Sequence, residues 1–391
     1  MSTSAHMENT KPTVLVVDDE AGPRDALKVI LRPFFNIRSA ENASNALAIL
    51  NTQRIDLIAL DQRLPDRHGM DLLQDIKQQY ADIEVIIITG HGSLESAMEG
   101  IRHGAAGYLL KPFNVTELIT LVNQTLEKKR RLDFIRTCFQ SSSGLWGSDQ
   151  EASSSWRQLK AGYLSLQAQS HERTNHSLNE PDIFPLLSDI LESKDRHLLH
   201  HSSRVSFYAM LMGTRLNLTT EAQHALMLGS FLHDIGKTHP ICYGFRTDRT
   251  LRSDAEEPSR MEHPTRGARL IRFLELPEDV GQIALCHHER WDGQGGPQGL
   301  KGERIPLLAR IVSIAQTFDH LTAEIPGRSA ASFDQALLKI VGDSHTQFDP
   351  ILADMFSEAM NNCKASLPPM AIAPTFTAHG VQTFSTARII Q

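Results

Sequence analysis

The sequence predicts a multidomain protein in which a doubly wound α/β domain precedes an all-α helical bundle. Three observations predict it. From Thr13 to about residue 128, short apolar runs alternate with amphipathic helical patterns, as in a parallel sheet covered on both faces. From Pro181 to about Leu367 only helical spacings occur. Between the two, serine and glycine dominate around Trp146, so a break is expected over Ser141–Ser155.

Met1–Lys11 is polar and expected to fray, and the first domain is read over residues 12–128. Thr13–Val17, Leu57–Leu60 and Val85–Thr89 read as buried strands, with Gly107–Leu110 as the fifth. Helices are expected near Arg24–Leu31, Ala43–Leu50, Met70–Gln79 and Leu94–Arg102. Ligands of such sheets gather at the carboxyl ends of the strands. There the sequence has Asp18 and Asp19, then Asp61, Thr89 and Lys111-Pro112. This arrangement resembles the receiver domain of bacterial two-component response regulators, a flavodoxin-like fold. The resemblance implies that Asp61 accepts a phosphoryl group from a cognate sensor histidine kinase. It also implies that Asp19 and Asp61 ligate Mg²⁺, that Asp18 helps through water, and that Thr89 and Lys111 contact the phosphoryl oxygens. Clustered carboxylates need a hard dication, and the added group needs a hydroxyl and an ammonium. Tyr108 reads either as an aromatic switch coupled to Thr89 or as a half-buried core tyrosine.

Residues 129–180 read as a helical connector and a Ser/Gly-rich linker. Apolar residues Val115, Leu118, Ile119, Val122, Leu126, Ile135 and Phe139 keep a helical spacing beyond one domain's needs, which offers a face for a homodimer. Lys128–Arg131 reads as the solvated face of that helix, and Trp156–Ser177 returns to a helical pattern.

The bundle is read over residues 181–366. Its helices are expected at Ile183–Leu191, Leu198–Leu216, Thr220–Leu232, Pro264–Leu274, Val280–His287, Pro306–Leu321 and Ser332–Val341. Residues 367–391 have little charge or pattern and read as a disordered tail. The densest chemistry is His287-His288-Glu289-Arg290-Trp291-Asp292-Gly293-Gln294-Gly295-Gly296-Pro297, two histidines beside a glycine-rich turn. Upstream lie His201, His233-Asp234-Ile235-Gly236-Lys237 and Glu262-His263-Pro264. Singly, each histidine reads as a core or surface residue; jointly, imidazoles with a bridging carboxylate suit a pair of divalent transition metals.

These motifs resemble the HD-GYP family of the HD metal-dependent phosphohydrolases, which hydrolyse cyclic di-GMP. The match runs from about Asp195 to Phe356 and includes His201–Val205, the HDIGK segment, His263-Pro264, Gly299–Gly302, Arg310-Ile311 and Phe348–Pro350. It implies His201, His233, Asp234, His263, His287 and His288 as ligands of two metals, Fe or Mn, with Asp234 bridging them. Asp234 and Lys237 would be catalytic, Lys237 offsetting phosphate charge. Gly295, Gly296 and Pro297 would form the lip of the pocket, and Arg328 would help to bind substrate.

Four positions depart from the family. Gln316 stands where the family has an aspartate ligand, so a neutral carbonyl oxygen replaces a charge. Gly296 replaces the tyrosine of the GYP signature, and Ile325 stands where many members have an arginine. His197 occupies the place of a glutamate that supports a third metal in some members, so two metals are expected.

Composition sets the remaining bounds. A net charge of -7 and a pI near 6.2 argue against general duplex DNA binding. The four cysteines form no CxxC pair, and neither a signal peptide nor a membrane segment is read, which points to the cytoplasm. Two functions follow: a phosphorylation-controlled, metal-dependent phosphodiesterase for cyclic di-GMP or a related cyclic dinucleotide, or a non-hydrolysing effector that signals through ligand or protein partners.

Overall fold

A computed structural model describes residues 11–90, 94–141, 143–171, 184–238, 257–323 and 329–366. The chain divides into two compact units, Met1–Asp133 and Phe134–Gln391.

The first unit alternates β1 (Thr13–Val17), α1 (Ala21–Leu31), β2 (Asn36–Ala40), α2 (Ala43–Leu50), β3 (Leu57–Leu60), α3 (Gly69–Gln79), β4 (Glu84–Thr89), α4 (Leu94–Arg102) and β5 (Gly107–Leu110), and then enters α5 (Val115–Ser141). All strand pairs are parallel, in the order β2-β1-β3-β4-β5. Alternate residues of β1 serve opposite cores. Leu15 and Val17 pack with α2 and α3, whereas Val14 and Val16 pack with Leu27 and Leu31 of α1 and Leu118, Val122 and Leu126 of α5. Cover on both faces explains why β1, β3 and β4 read as unbroken apolar runs. Sequence analysis assigned no residues to β2. Its sequence, Asn-Ile-Arg-Ser-Ala, lies at the sheet edge and is largely exposed, so it carries no apolar run.

The second unit is helical. After the end of α5 come a short 3-10 helix (Ser143–Trp146), α6 (Asp149–His171), α7 (Phe184–Lys194), α8 (Arg196–Arg215), α9 (Thr220–Leu232), a 3-10 turn (Ile235–Thr238), α10 (Glu257–Phe273), α11 (Glu278–Cys286), α12 (Leu307–Thr322), α13 (Phe333–Gly342) and α14 (Pro350–Ser366). One continuous apolar core joins residues of all these α-helices, from Ile135 and Phe139 through Leu187, Phe231 and Phe318 to Phe356.

Three local expectations change. The break expected over Ser141–Ser155 is short, because α6 begins at Asp149 and Leu145 is buried in the core. Arg269 of α10 also holds this segment, donating to the Trp146 carbonyl (3.2 Å) and pairing with Asp149 (3.1 Å). The helix expected from Pro264 begins instead at Glu257 and runs through the proline, so local bias against helix before proline is overridden by packing. Helix α14 had no counterpart in the sequence reading. The expected tail 367–391 and the end of the Trp156–Ser177 helix lie outside the described residues. Among the described residues no helix is long and apolar enough to cross a membrane.

Candidate phosphoacceptor site and metal centre

In the first unit, parallel register brings the ends of four strands level. Val17 pairs with Leu60, Leu60 with Ile87, and Thr89 with Leu110. Asp18, Asp61, Thr89 and Lys111 therefore meet at one edge. The Lys111 ammonium donates to Asp18 Oδ2 (2.6 Å) and Asp61 Oδ2 (2.9 Å). Asp18, Asp19 and Asp61 each offer an oxygen within 4.8 Å of the others; Asp19 is exposed and the other two are buried. Burial raises the Asp18 pKa in spite of Lys111. Burial alone would lower the Lys111 pKa, but its bonds to both carboxylates raise it. Arg24 steadies the loop by donating to the carbonyls of Asp18 (2.7 Å) and Asp19 (3.1 Å). Thr89 is fully buried, and the half-buried Tyr108 places its hydroxyl 3.0 Å from Ser96 Oγ.

In the second unit, five elements converge. His201 comes from α8, His233 and Asp234 from the end of α9, His263 from α10, His287 and His288 from the end of α11, and Gln316 from α12. The fully buried Asp234 presents its two oxygens to two different sets of rings. Oδ2 lies 3.6 Å from His201 Nε2 and 3.5 Å from His233 Nε2, while Oδ1 lies 3.1 Å from His263 Nε2 and 3.7 Å from His287 Nε2. His288 stands against His287 with ring centroids 4.2 Å apart. The groupings His201–His233–Asp234 and His263–His287–His288 each have the spacing to hold an ion.

Close backbone approach makes this possible. A Cβ at Gly236 would lie 2.0 Å from the His263 carbonyl oxygen, so only glycine lets the turn after Asp234 rest on α10. At Gly295 a Cβ would lie 2.6 Å from the His288 carbonyl oxygen, and the glycine-rich turn folds back over the histidine pair. Buried Glu289 braces that turn by accepting from the amides of Gln298 (2.6 Å) and Leu300 (3.0 Å). Asp292 accepts from Arg290 and from the Gln294 amide.

The rings are aimed. His233 Nδ1 donates to the Ser230 carbonyl (2.7 Å) and His287 Nδ1 to the Ala284 carbonyl (2.8 Å), which leaves each Nε2 with its lone pair towards Asp234. His201 Nδ1 faces Asp319 Oδ2 at 2.7 Å. The Gln316 amide donates to the His287 carbonyl (2.9 Å), which turns its Oε1 the other way. His201 Nε2, His233 Nε2, His288 Nε2 and Gln316 Oε1 are buried without a hydrogen-bond partner among the described residues. Buried polar atoms are costly when unmatched, and nitrogen and oxygen donors converging in this way fit divalent transition ions.

Electrostatics agree with neutral rings at His233, His287 and His288 beside an anionic Asp234. Burial pushes His233 down to about 3 and His288 to about 2, and holds His287 well below its usual range. Burial alone would raise Asp234, but Lys237, His233 and His263 hold it well below the usual carboxylate range. Lys237, partly exposed, bonds Asp234 Oδ2 at 2.5 Å.

These ring shifts give an expected acid sensitivity. In the unfolded chain the rings protonate near 6.5, so on acidification the unfolded state takes up protons first. The associated stability is complete above that value and drains as pH falls towards the folded values. For His233 and His288 together, going from pH 7 to pH 5 is expected to cost on the order of 4 kcal/mol in metal-free protein. Urea denaturation at pH 7, 6 and 5 checks this; an unchanged unfolding free energy would contradict it.

Some residues fall elsewhere. Arg328 and Ile325 lie outside the described residues. His197 is exposed and belongs to neither histidine cluster. Sequence reasoning set Asp319 aside, one turn after Gln316, and gave no role to His320, an exposed residue whose ring stacks on His201 at 4.7 Å.

Comparison with known proteins agrees with both units. Residues 14–123 match the response regulator receiver domain, and residues 185–352 match the HD domain. The cyclic di-GMP phosphodiesterase response regulator RpfG of Xanthomonas campestris is 27% identical over 352 residues, covering 87% of this chain and 86% of that protein. A cyclic di-GMP phosphodiesterase of Thermotoga maritima is 25% identical, covering 88% and 89%. The 3'3'-cGAMP-specific phosphodiesterase 3 of Vibrio cholerae is 30% identical over 172 residues, covering 44% of this chain and 37% of that protein. Two linked domain matches, in this order and over these sites, show that the chain carries a receiver domain followed by an HD domain, a metal-dependent family.

Proposed function

We propose that this protein is a metal-dependent phosphodiesterase that hydrolyses cyclic di-GMP or a related cyclic dinucleotide under the control of phosphorylation at Asp61. The observation that carries the reading is Asp234, a buried carboxylate whose two oxygens face separate histidine sets. Relatives named as cyclic di-GMP phosphodiesterases, matched along most of their length, support the substrate class.

His201, His233 and Asp234 would hold one ion, and His263, His287 and His288 with the other oxygen of Asp234 would hold the second. Gln316 Oε1 would be a neutral additional donor. Two Fe or Mn ions, when bound, supply Lewis acidity towards the phosphodiester and activate the attacking water. Burial keeps His233, His287 and His288 neutral and able to donate, while the Lys237 ammonium helps to keep Asp234 anionic against its burial. Lys237, itself partly exposed, pairs with Asp234 Oδ2, and its ammonium would offset the negative charge of a phosphodiester. The Gly295-Gly296-Pro297 turn would form the lip of the pocket. Anaerobic turnover of cyclic di-GMP by full-length protein loaded with Mn²⁺ or Fe²⁺ tests the reading. Turnover that disappears in Asp234→Asn supports it; no turnover by folded, metal-loaded protein overturns it. Gln316 and Gly296, both departures from the family, favour a second reading, a non-hydrolysing effector, and that outcome would select it.

In the receiver domain, Asp61 would take the phosphoryl group from a sensor histidine kinase. Asp19 and Asp61 would hold Mg²⁺ with Asp18 acting through water, and Thr89 and Lys111 would receive the phosphoryl oxygens. The added group acts only by favouring one of two states, through α5 and the pairing of two chains. Beryllofluoride with Mg²⁺ is expected to change turnover and oligomeric state in the wild type and to change neither in Asp61→Asn. Light scattering and a phosphodiesterase assay read both, and an unaltered response in the variant would exclude control through Asp61.

A further inference from the structure

His201 is aimed differently from its neighbours. His233 and His287 each donate from Nδ1 to a neutral backbone carbonyl of their own helix, at Ser230 and Ala284. His201 Nδ1 instead meets the side-chain carboxylate of Asp319, 2.7 Å away on α12. Asp319 is almost wholly buried, with 1% of its surface exposed. Its charge is kept by Arg204, whose Nε and Nη2 lie 2.5 Å and 3.0 Å from the two carboxylate oxygens. Arg204 stands one turn after His201 on α8, so a single face of that helix brings both partners to Asp319.

On α12, Asp319 follows Gln316 by one turn. Gln316 reaches the His287 side of the centre with a neutral amide, and Asp319 reaches the His201 side with a full negative charge. A carboxylate behind an imidazole fixes its tautomer and orientation and makes the opposite nitrogen a stronger donor. We propose that Asp319, paired with Arg204, is a positioning residue of the metal centre. It holds His201 with Nε2 bare and directed at Asp234, and passes to the ion through that ring part of the negative charge that Gln316 does not provide. This inference rests on the metal-centre reading given above.

The test is titration of metal-free, full-length protein with Mn²⁺, following affinity and ion count, together with the visible spectrum of the Co²⁺-loaded form. Asp319→Asn, nearly the same shape without the charge, is expected to weaken the ion beside His201 and His233 by about 10- to 100-fold, to leave the other ion near its wild-type affinity, and to alter the Co²⁺ spectrum. The double variant Arg204→Met/Asp319→Asn is expected to stay as weak. Recovery of affinity in the double variant would assign Asp319 to neutralising Arg204 alone and overturn the proposal. Wild-type affinity in Asp319→Asn would overturn it while leaving the metal centre intact. Failure of the wild type to bind metal would instead overturn the metal-centre reading, and this inference with it. Should Asp319→Asn fold poorly, ¹⁵N–¹H correlation of the histidine rings in the metal-free wild type decides the point. His201 protonated at Nδ1 supports the proposal, and His201 protonated at Nε2 refutes it.

Discussion

Asp234→Asn is expected to lower cyclic di-GMP turnover by at least about 10³-fold, the loss corresponding to several kcal/mol of metal-assisted stabilisation of the transition state. The substitution keeps the shape of the side chain and removes its charge. In the folded protein Asp234 is fully buried, and both of its oxygens face imidazole nitrogens, two on each side. A neutral amide at that point cannot balance two dications, and its NH₂ group points a donor where a ligand oxygen is needed. Lys237 would also lose its ion-pair partner. The measurement pairs turnover with metal content by elemental analysis. Both should fall together, and a variant that retained two ions and normal turnover would show that Asp234 is not the bridge.

The second large effect is expected to be a gain. Gln316→Asp should tighten metal binding by about 10- to 100-fold, because a carboxylate replaces a neutral carbonyl oxygen within a buried, low-dielectric centre. In the metal-free protein the same change has the opposite sign. It adds a further buried carboxylate to a region already holding Asp234 and Asp319, removes the Gln316 bond to the His287 carbonyl, and so should lower the unfolding temperature. Thermal unfolding with and without Mn²⁺ therefore should diverge more widely in the variant than in the wild type. If the wild type proved silent and Gln316→Asp hydrolysed cyclic di-GMP, position 316 would be identified as the place where this chain departs from catalysis. An unchanged affinity would place Gln316 outside the coordination sphere.

The sequence made the two domains legible through periodicity. β1, β3 and β4 are covered on both faces and must be apolar throughout, whereas the edge strand β2 needs no such run and left no signal. Likewise α10 passes through Pro264, because the contact of its backbone with Gly236 outweighs a local preference that would end the helix. Leu145 reads as part of a serine-rich linker region, yet it is buried in the helical core, and that burial depends on partners distant in sequence.

The candidate sites divide along the same line. Residue type and order, read with the two family resemblances, named Asp18, Asp19, Asp61, Thr89 and Lys111, and also His201, His233, Asp234, His263, His287 and His288, as candidates, because a side chain's donors are intrinsic to it. Direction is not intrinsic. Which oxygen of Asp234 faces which rings, the rotation of Gln316 by the His287 carbonyl, and the charge that Asp319 sets behind His201 from 118 residues away were decided only when the helices packed. Hydrophobic periodicity is a short-range property written along the chain, whereas a lone pair is aimed by whatever group the fold places behind it.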